Sequence, residues 1–305
     1  MLLSECFDGF IDYKRKQGHT EHTILEYRFW MREVLMHCVT NEKQLEDLRL
    51  TDVADIQFAA RNHGAFGPQR SVSLFRQLLR YLDEDGQKIP FNWFLIKLPH
   101  VPEKEQDFME EAEFERFVSQ LDTNKFFEIR DRALYETLWS TGLRIGEALA
   151  LNRQDFAKGE KIIKNEKGGS EAKVFFSDRC IYWLNEYMGR RSDNCEALFV
   201  TFTNEGVKRV LRCRARQRLH DYCKKFKCEL KVTHMIFRRS FGSKIINTGA
   251  DIKQAQYLMR HRSERTILKF YAKVKQQKLR GIHNAIFNKP IPAPVAIEPQ
   301  KVPCG

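Results

Sequence analysis

Thr141-Gly142-Leu143-Arg144-Ile145-Gly146-Glu147-Ala148-Leu149 decides how this chain is read. A helix runs up to it from about Phe126 to Ser140, and Thr141-Gly142 ends that helix. Arg144 falls just past the glycine, at the start of the next short helix. Glu147 lies three residues further on, which puts it on the same helix face, where it can hold the guanidinium in place. Taken alone, Arg144 and Glu147 are equally well an ordinary surface ion pair.

Toward the carboxyl end, further reactive groups follow in order. Phe237-Arg238-Arg239-Ser240-Phe241-Gly242 sets a second arginine in a helix expected at about 236–248. Leu258-Met259-Arg260-His261 closes a helix over 251–259 with an imidazole, and Tyr271 follows ten residues later in a helix over 265–274. Between the two arginines, residues 161–164 and 173–176 read as a β-hairpin around the turn Lys167-Gly168-Gly169. Two guanidiniums, an imidazole and a phenol suit phosphoryl transfer, which needs positive charge on the equatorial oxygens and an in-line nucleophile. Arginine suits the first task because its planar fork binds two oxygens and never deprotonates. A free phenol has a pKa near ~10, so Tyr271 needs adjacent cations or a base to attack at neutral pH. Ile267, Phe270, Tyr271 and Val274 also fit a core-facing helical stripe. Lys167 either presents an ammonium to a leaving hydroxyl or is a plain exposed hairpin lysine.

Composition narrows the partner. The chain has 305 residues, enough for two domains, with 42% apolar residues and 23 phenylalanines to build cores. The net charge of +12 and a pI near 9.3 point to a polyanion. That charge is concentrated: residues 208–280 carry 22 Lys/Arg against 4 Asp/Glu, while residues 1–102 are nearly balanced at 13 against 14. The positive field therefore covers the segment with Arg238, His261 and Tyr271, which favours nucleic acid over a merely solvated face. Eight cysteines at irregular spacing, with no apolar leader and no membrane-length run, fit a cytoplasmic protein with reduced thiols. His220, Cys223, Cys228 and His234 match no standard zinc spacing, and the stretch 204–227 reads as a basic helix instead. No metal and no cofactor is expected.

Residues 1–88 read as a compact helical domain. A helix over 2–16 carries Leu3, Phe7, Phe10 and Ile11, and a second runs from about Thr20 or His22-Thr23 to about Cys38. A short third helix is capped by Thr51, and Gly64 and Gly67-Pro68 break the chain before a fourth with Val72, Phe75, Leu78, Leu79 and Leu82. Residues 89–104 read as a proline-bounded linker, 105–288 as the second domain, and 289–305 as a proline-rich flexible tail. A further helix is expected at about 178–189.

Together, and in this order, these elements resemble the tyrosine recombinase (phage integrase) family across nearly the whole chain. The stretch around Arg144 is similar to that family's first arginine box, Lys167 falls where its hairpin lysine falls, Arg238-Arg239-Ser240-Phe241-Gly242 resembles the second box, and His261 with Tyr271 resembles the third box and the nucleophile. The segment 20–27 resembles the family's core-binding domain. Three positions depart: Met235 stands where the family usually has His, with His234 one residue further away; Arg239 stands where His is common; and His261 to Tyr271 spans ten residues rather than nine.

The resemblance implies a mainly α fold with a small antiparallel β-sheet: a helical, SAM-like core-binding domain followed by an α/β catalytic domain. It implies site-specific cutting and rejoining of double-stranded DNA through a 3′-phosphotyrosine intermediate, without ATP. Tyr271 would be the nucleophile, Lys167 the general acid, Arg144 and Arg238 the phosphate ligands, and His261 and His234 would aid proton transfers, with Glu147 and Arg239 in support. It further implies a homotetramer on DNA and no membrane partner. The alternatives are a type IB topoisomerase-like relaxing enzyme, a catalytically impaired architectural protein on the same scaffold, and a generic RNA-binding helical protein.

Overall fold

Phe7, Phe10 and Ile11 sit on one face of the first helix, and that face closes a core that only further helices can complete. The computed structural model describes residues 1–32, 43–101, 107–164, 171–230, 232–260 and 283. The chain divides into two units, Met1–Lys104 and Glu105–Gly305. No described helix is long and apolar enough to cross a membrane.

The first unit holds α1 (Leu3–Lys16), α2 (Glu21–Trp30), α3 (Asp52–Ala59) and α4 (Gly67–Glu84). Ile24, Ile56, Val72, Phe75, Leu78 and Leu82 join the α1 residues in its core. Trp93 and Ile96, from the stretch read as a linker, pack into the same core, and the Trp93 indole donates to Asp83 at 3.2 Å. Thr51 occupies the cap position of α3 but makes no side-chain cap bond. Asp52, the first helical residue, is instead tied to the chain ahead of the helix: it is 6% exposed, accepts from the Arg49 N–H at 2.8 Å and is paired with Lys43 at 2.7 Å. Gly67-Pro68 starts α4 rather than lying in a break before it, as suits a proline in a first helical turn.

The second unit holds α5 (Glu111–Ser119), α6 (Phe126–Thr141), α7 (Ile145–Ala150), the strands β1 (Glu160–Lys164) and β2 (Glu171–Phe175), α8 (Asp178–Met188), the strands β3 (Val200–Thr203) and β4 (Gly206–Arg209), then α9 (Arg212–Lys225), α10 (His234–Asn247) and α11 (Ile252–Met259). Both sheets are two-stranded and antiparallel, with Ile162 opposite Lys173 in the first and Phe202 opposite Val207 in the second. The fold is therefore mainly helical with small antiparallel sheets, as expected. The second hairpin corrects the single helix expected over 204–227. Gly206, at φ 107°, turns the chain, and α9 begins only at Arg212.

Helix α6 is buried on nearly every side between α8 and α10. Its charged residues survive there because each has a partner. Arg130 binds Asp131 at 2.6 Å, Arg132 and Arg179 both bind Glu136 (3.1 and 2.7 Å), and the Tyr222 hydroxyl donates to Asp131 at 2.9 Å. A helix fixed this firmly gives the turn at its end a defined position.

Candidate active site

Helix α6 stops at Gly142, which adopts the left-handed conformation (φ 59°, ψ 22°). Any other residue would be strained there. A Cβ at this position would also run into the ring of Phe241 from α10. The Thr141 hydroxyl steadies the turn by donating to the Thr137 carbonyl at 2.6 Å and accepting the Leu143 N–H at 3.2 Å. Arg144 then takes an extended conformation and caps α7. The Glu147 carboxylate accepts both the Arg144 backbone N–H (2.9 Å, on Oε2) and its guanidinium Nη1 (2.8 Å, on Oε1). The far end of α7 is fixed by Arg209 of β4, which donates to the Leu149 and Leu151 carbonyls at 2.6 and 2.7 Å and to Asn152 Oδ1 at 2.6 Å.

The Gly142 carbonyl is the meeting point. It accepts from Arg238 Nη1 on α10 and from Arg260 Nη2 at the end of α11, the latter at 3.2 Å. Arg238 Nη2 donates to the Met259 carbonyl. Arg260 donates also to the Thr141 carbonyl (3.4 Å) and to Glu147 Oε2 (3.2 Å). Three guanidiniums from separate parts of the chain thus surround one turn. Their exposures differ: the Arg144 side chain is 41% exposed, that of Arg260 0%, and Arg238 is buried at 1%, as is Glu147 with 2% of its side chain exposed. Arg144 can therefore meet a ligand directly. Burial pushes the Glu147 carboxyl up, but the Arg144 N–H and the Arg260 and Arg144 charges outweigh it and hold the group below its usual range. It is an anion at neutral pH.

Among the other expected site residues, His234 is the first residue of α10 and is buried, one turn before Arg238. Burial, aided by the charge of Arg216, pushes its pKa down to about 4, so it is neutral at pH 7. Its Nε2 finds no hydrogen-bond partner among the described residues. Met235 points outward and is exposed. Arg239 is partly exposed on α10. Lys167, His261 and Tyr271 lie outside the described residues. Next to the cluster, the Arg212 guanidinium of α9 packs onto Gly146, where a Cβ would collide with it. Arg216, His220 and Lys224 follow Arg212 at four-residue steps along the exposed side of α9. Sequence reasoning quoted Arg260 without giving it a role. A basic residue at a helix end looks like routine compensation of the helix dipole, and only its burial marks it out.

Comparison with known proteins gives consistent results. Residues 107–278 match the profile described as "Phage integrase family". The tyrosine recombinase XerD of Vibrio cholerae is 23% identical over 276 residues, covering 88% of this chain and 91% of that protein. The Haemophilus influenzae protein of the same name is 21% identical over 285 residues, covering 89% and 94%. Among solved structures, the Tn1549 transposon integrase in complex with circular intermediate DNA aligns with a TM-score of 0.74 at 17% identity, over 93% of this chain and 99% of that one. A lambda integrase dimer bound to a COC′ core site aligns at 0.73 with 15% identity, over 87% and 97%. At these identities the structural likeness concerns the fold.

Proposed function

This chain belongs to the phage integrase family, and from that premise we propose that it is a site-specific tyrosine recombinase, which cuts and rejoins double-stranded DNA through a 3′-phosphotyrosine formed by Tyr271. The Tyr271 oxygen attacks the scissile phosphorus, and the bond to the 5′-oxygen breaks. Lys167 supplies the proton that this oxygen needs to leave. A 5′-hydroxyl from a partner duplex then attacks the phosphotyrosine and frees the tyrosine. The bond energy stays in the covalent link, so no ATP is consumed. Arg144 binds the phosphate from its open side, and Arg238 adds positive charge from beneath the Gly142 turn. Such preorganised charge acts on the transition state, where losing one donor costs about a hundred- to a thousandfold in rate. His234, neutral at pH 7, contributes as a hydrogen-bonding group rather than as a cation. His261 takes part in the proton transfers. Four copies acting on two duplexes complete the reaction, in the cytoplasm.

The observation that carries this reading is the convergence of Arg144, Glu147 and Arg238 on the carbonyl turn at Gly142, from positions 96 residues apart in the case of Arg238 and Gly142. The basic face of α9 beside it supports DNA as the substrate. A nicked suicide duplex, whose cleaved end diffuses away, tests the chemistry. The wild-type chain should form a covalent adduct that survives denaturant, and Tyr271→Phe should bind DNA without forming one. An adduct with the phenylalanine variant refutes Tyr271 as nucleophile. Absence of any wild-type adduct favours an architectural DNA-binding protein instead, and relaxation of plasmids lacking a recombination site favours a topoisomerase.

A further inference from the structure

We propose that Arg260 is a positioning residue of the cleavage reaction: its buried guanidinium locks Glu147, and through Glu147 the Arg144 guanidinium, to the turn at Gly142. The catalytic half of this claim rests on the recombinase reading above.

Four observations carry it. Arg260 adopts the left-handed conformation (φ 53°, ψ 44°) at the end of α11. Among the described residues, only Lys227 shares this feature outside glycine. A residue with a Cβ is strained there, so glycine would suit the backbone better, and the side chain must repay what the backbone loses. The side chain is fully buried and spans from its own turn, through a 3.4 Å bond to the Leu258 carbonyl, to Thr141, Gly142 and Glu147. The two carboxylate oxygens of Glu147 are divided: Oε1 takes the Arg144 guanidinium, while Oε2 takes Arg260 and the Arg144 backbone N–H. A carboxylate held at both oxygens cannot rotate without breaking a charged bond, and so the direction of the Arg144 fork is set. Finally, Arg260 Nε has no acceptor among the described residues. A filler for this space would be apolar and would leave no buried N–H unmatched. With no exposed side-chain surface, Arg260 does not itself reach the phosphate. It acts through its neighbours, and it ties the segment entering His261 to the first arginine box.

The test compares wild type with Arg260→Gly, which suits the backbone and removes the guanidinium, and Arg260→Lys, which keeps the charge and loses the fork. Three quantities are read on the full chain. They are duplex affinity, single-turnover cleavage of the suicide duplex at saturating DNA, and the rate at which phenylglyoxal modifies Arg144, followed by mass spectrometry without DNA. Arg260→Gly should leave affinity within about twofold and lower the cleavage rate about 10- to 100-fold, the scale expected from a misplaced catalytic group. Its Arg144 should be modified several times faster, and Arg260→Lys should fall between. Cleavage within about twofold of wild type overturns the proposal, as does unchanged modification of Arg144 with cleavage and affinity lost in step. If the wild-type chain itself forms no adduct, the recombinase reading fails. The Arg144 modification rate still decides whether Arg260 holds Glu147.

Discussion

Gly142→Ala is the sharpest single perturbation of this site, because two separate costs meet at one atom. The backbone there has φ 59°, and holding a non-glycine residue in such a region costs roughly 1–3 kcal/mol. The new methyl would also lie too close to the edge of the Phe241 ring, and overpacking of this kind costs about 1–3 kcal/mol. The sum is about 2–6 kcal/mol. For a unit of this size each kcal/mol lowers Tm by roughly 2–4 °C, so calorimetry should show a drop of about 4–24 °C in the transition of the second unit. The functional loss should exceed the stability loss. Relief of the clash moves either Phe241 or the Gly142 carbonyl, and that carbonyl holds Arg238 and Arg260. Cleavage measured well below the lowered Tm should therefore fall by about tenfold or more, since a misplacement near 1 Å is worth up to about a hundredfold. A variant that melts within about 2 °C of wild type and cleaves at the wild-type rate refutes both the assignment of the turn and its role as anchor.

Two further outcomes follow from charge. His234 has its pKa pushed down to about 4 in the folded chain, whereas an unfolded histidine titrates near ~6.5. Below that unfolded value the unfolded state takes up the proton first, so stability is lost as pH falls from about 6.5 toward 4, by at most about 3 kcal/mol. Chemical denaturation at pH 7 and pH 4.5 should show this loss in wild type and a smaller one in His234→Gln; equal losses in both contradict the burial argument. Duplex affinity should also fall steeply with salt, because several phosphates are neutralised and their counterions released. Fluorescence anisotropy between low and moderate ionic strength measures the slope, and a flat response contradicts a phosphate-led interface on the α9 face.

The parts of this fold that were legible in the sequence are those where a local rule and the tertiary environment agree. Gly142 reads as a helix end because its φ needs a glycine, and α10 reads correctly because His234 to Asn247 carries an uninterrupted helical segment after Val232-Thr233. The first hairpin is visible because Ile162, Ile163 and Val174 are β-branched and stand on either side of Gly168-Gly169 in the sequence. Elsewhere the local signal misled. Val207, Val210 and Leu211 continue the helical spacing of α9 backwards, which hid β4. That strand is held by its pairing to β3 and by Arg209 reaching the end of α7, contacts with no local signature. Thr51 reads as a cap by residue type but makes no side-chain cap bond, while Asp52 beside it binds Lys43 and the Arg49 N–H ahead of the helix. In the sequence Arg260 is marked only by standing next to His261. Its role depends on Thr141, Gly142 and Glu147, more than a hundred residues away in sequence, and a spacing rule cannot supply that.

Among the described residues, Arg238 donates to the Gly142 and Met259 carbonyls, and Arg260 to those of Thr141, Gly142 and Leu258 as well as to Glu147, and this use of carbonyls bears on the chemistry. A carboxylate would fix a guanidinium equally well but would cancel its charge, leaving less for a phosphate. A carbonyl is a dipole with no net charge: it satisfies the donor, sets its direction and leaves the cation's net charge uncancelled. Glu147 stands where a full negative charge has a distinct use, between the exposed Arg144 and the buried Arg260. There it compensates the burial of Arg260, and its second oxygen orients Arg144 toward solvent. The cluster thus separates two tasks that compete in most ion pairs. Carbonyls give position without adding a negative charge, and one carboxylate compensates the buried Arg260.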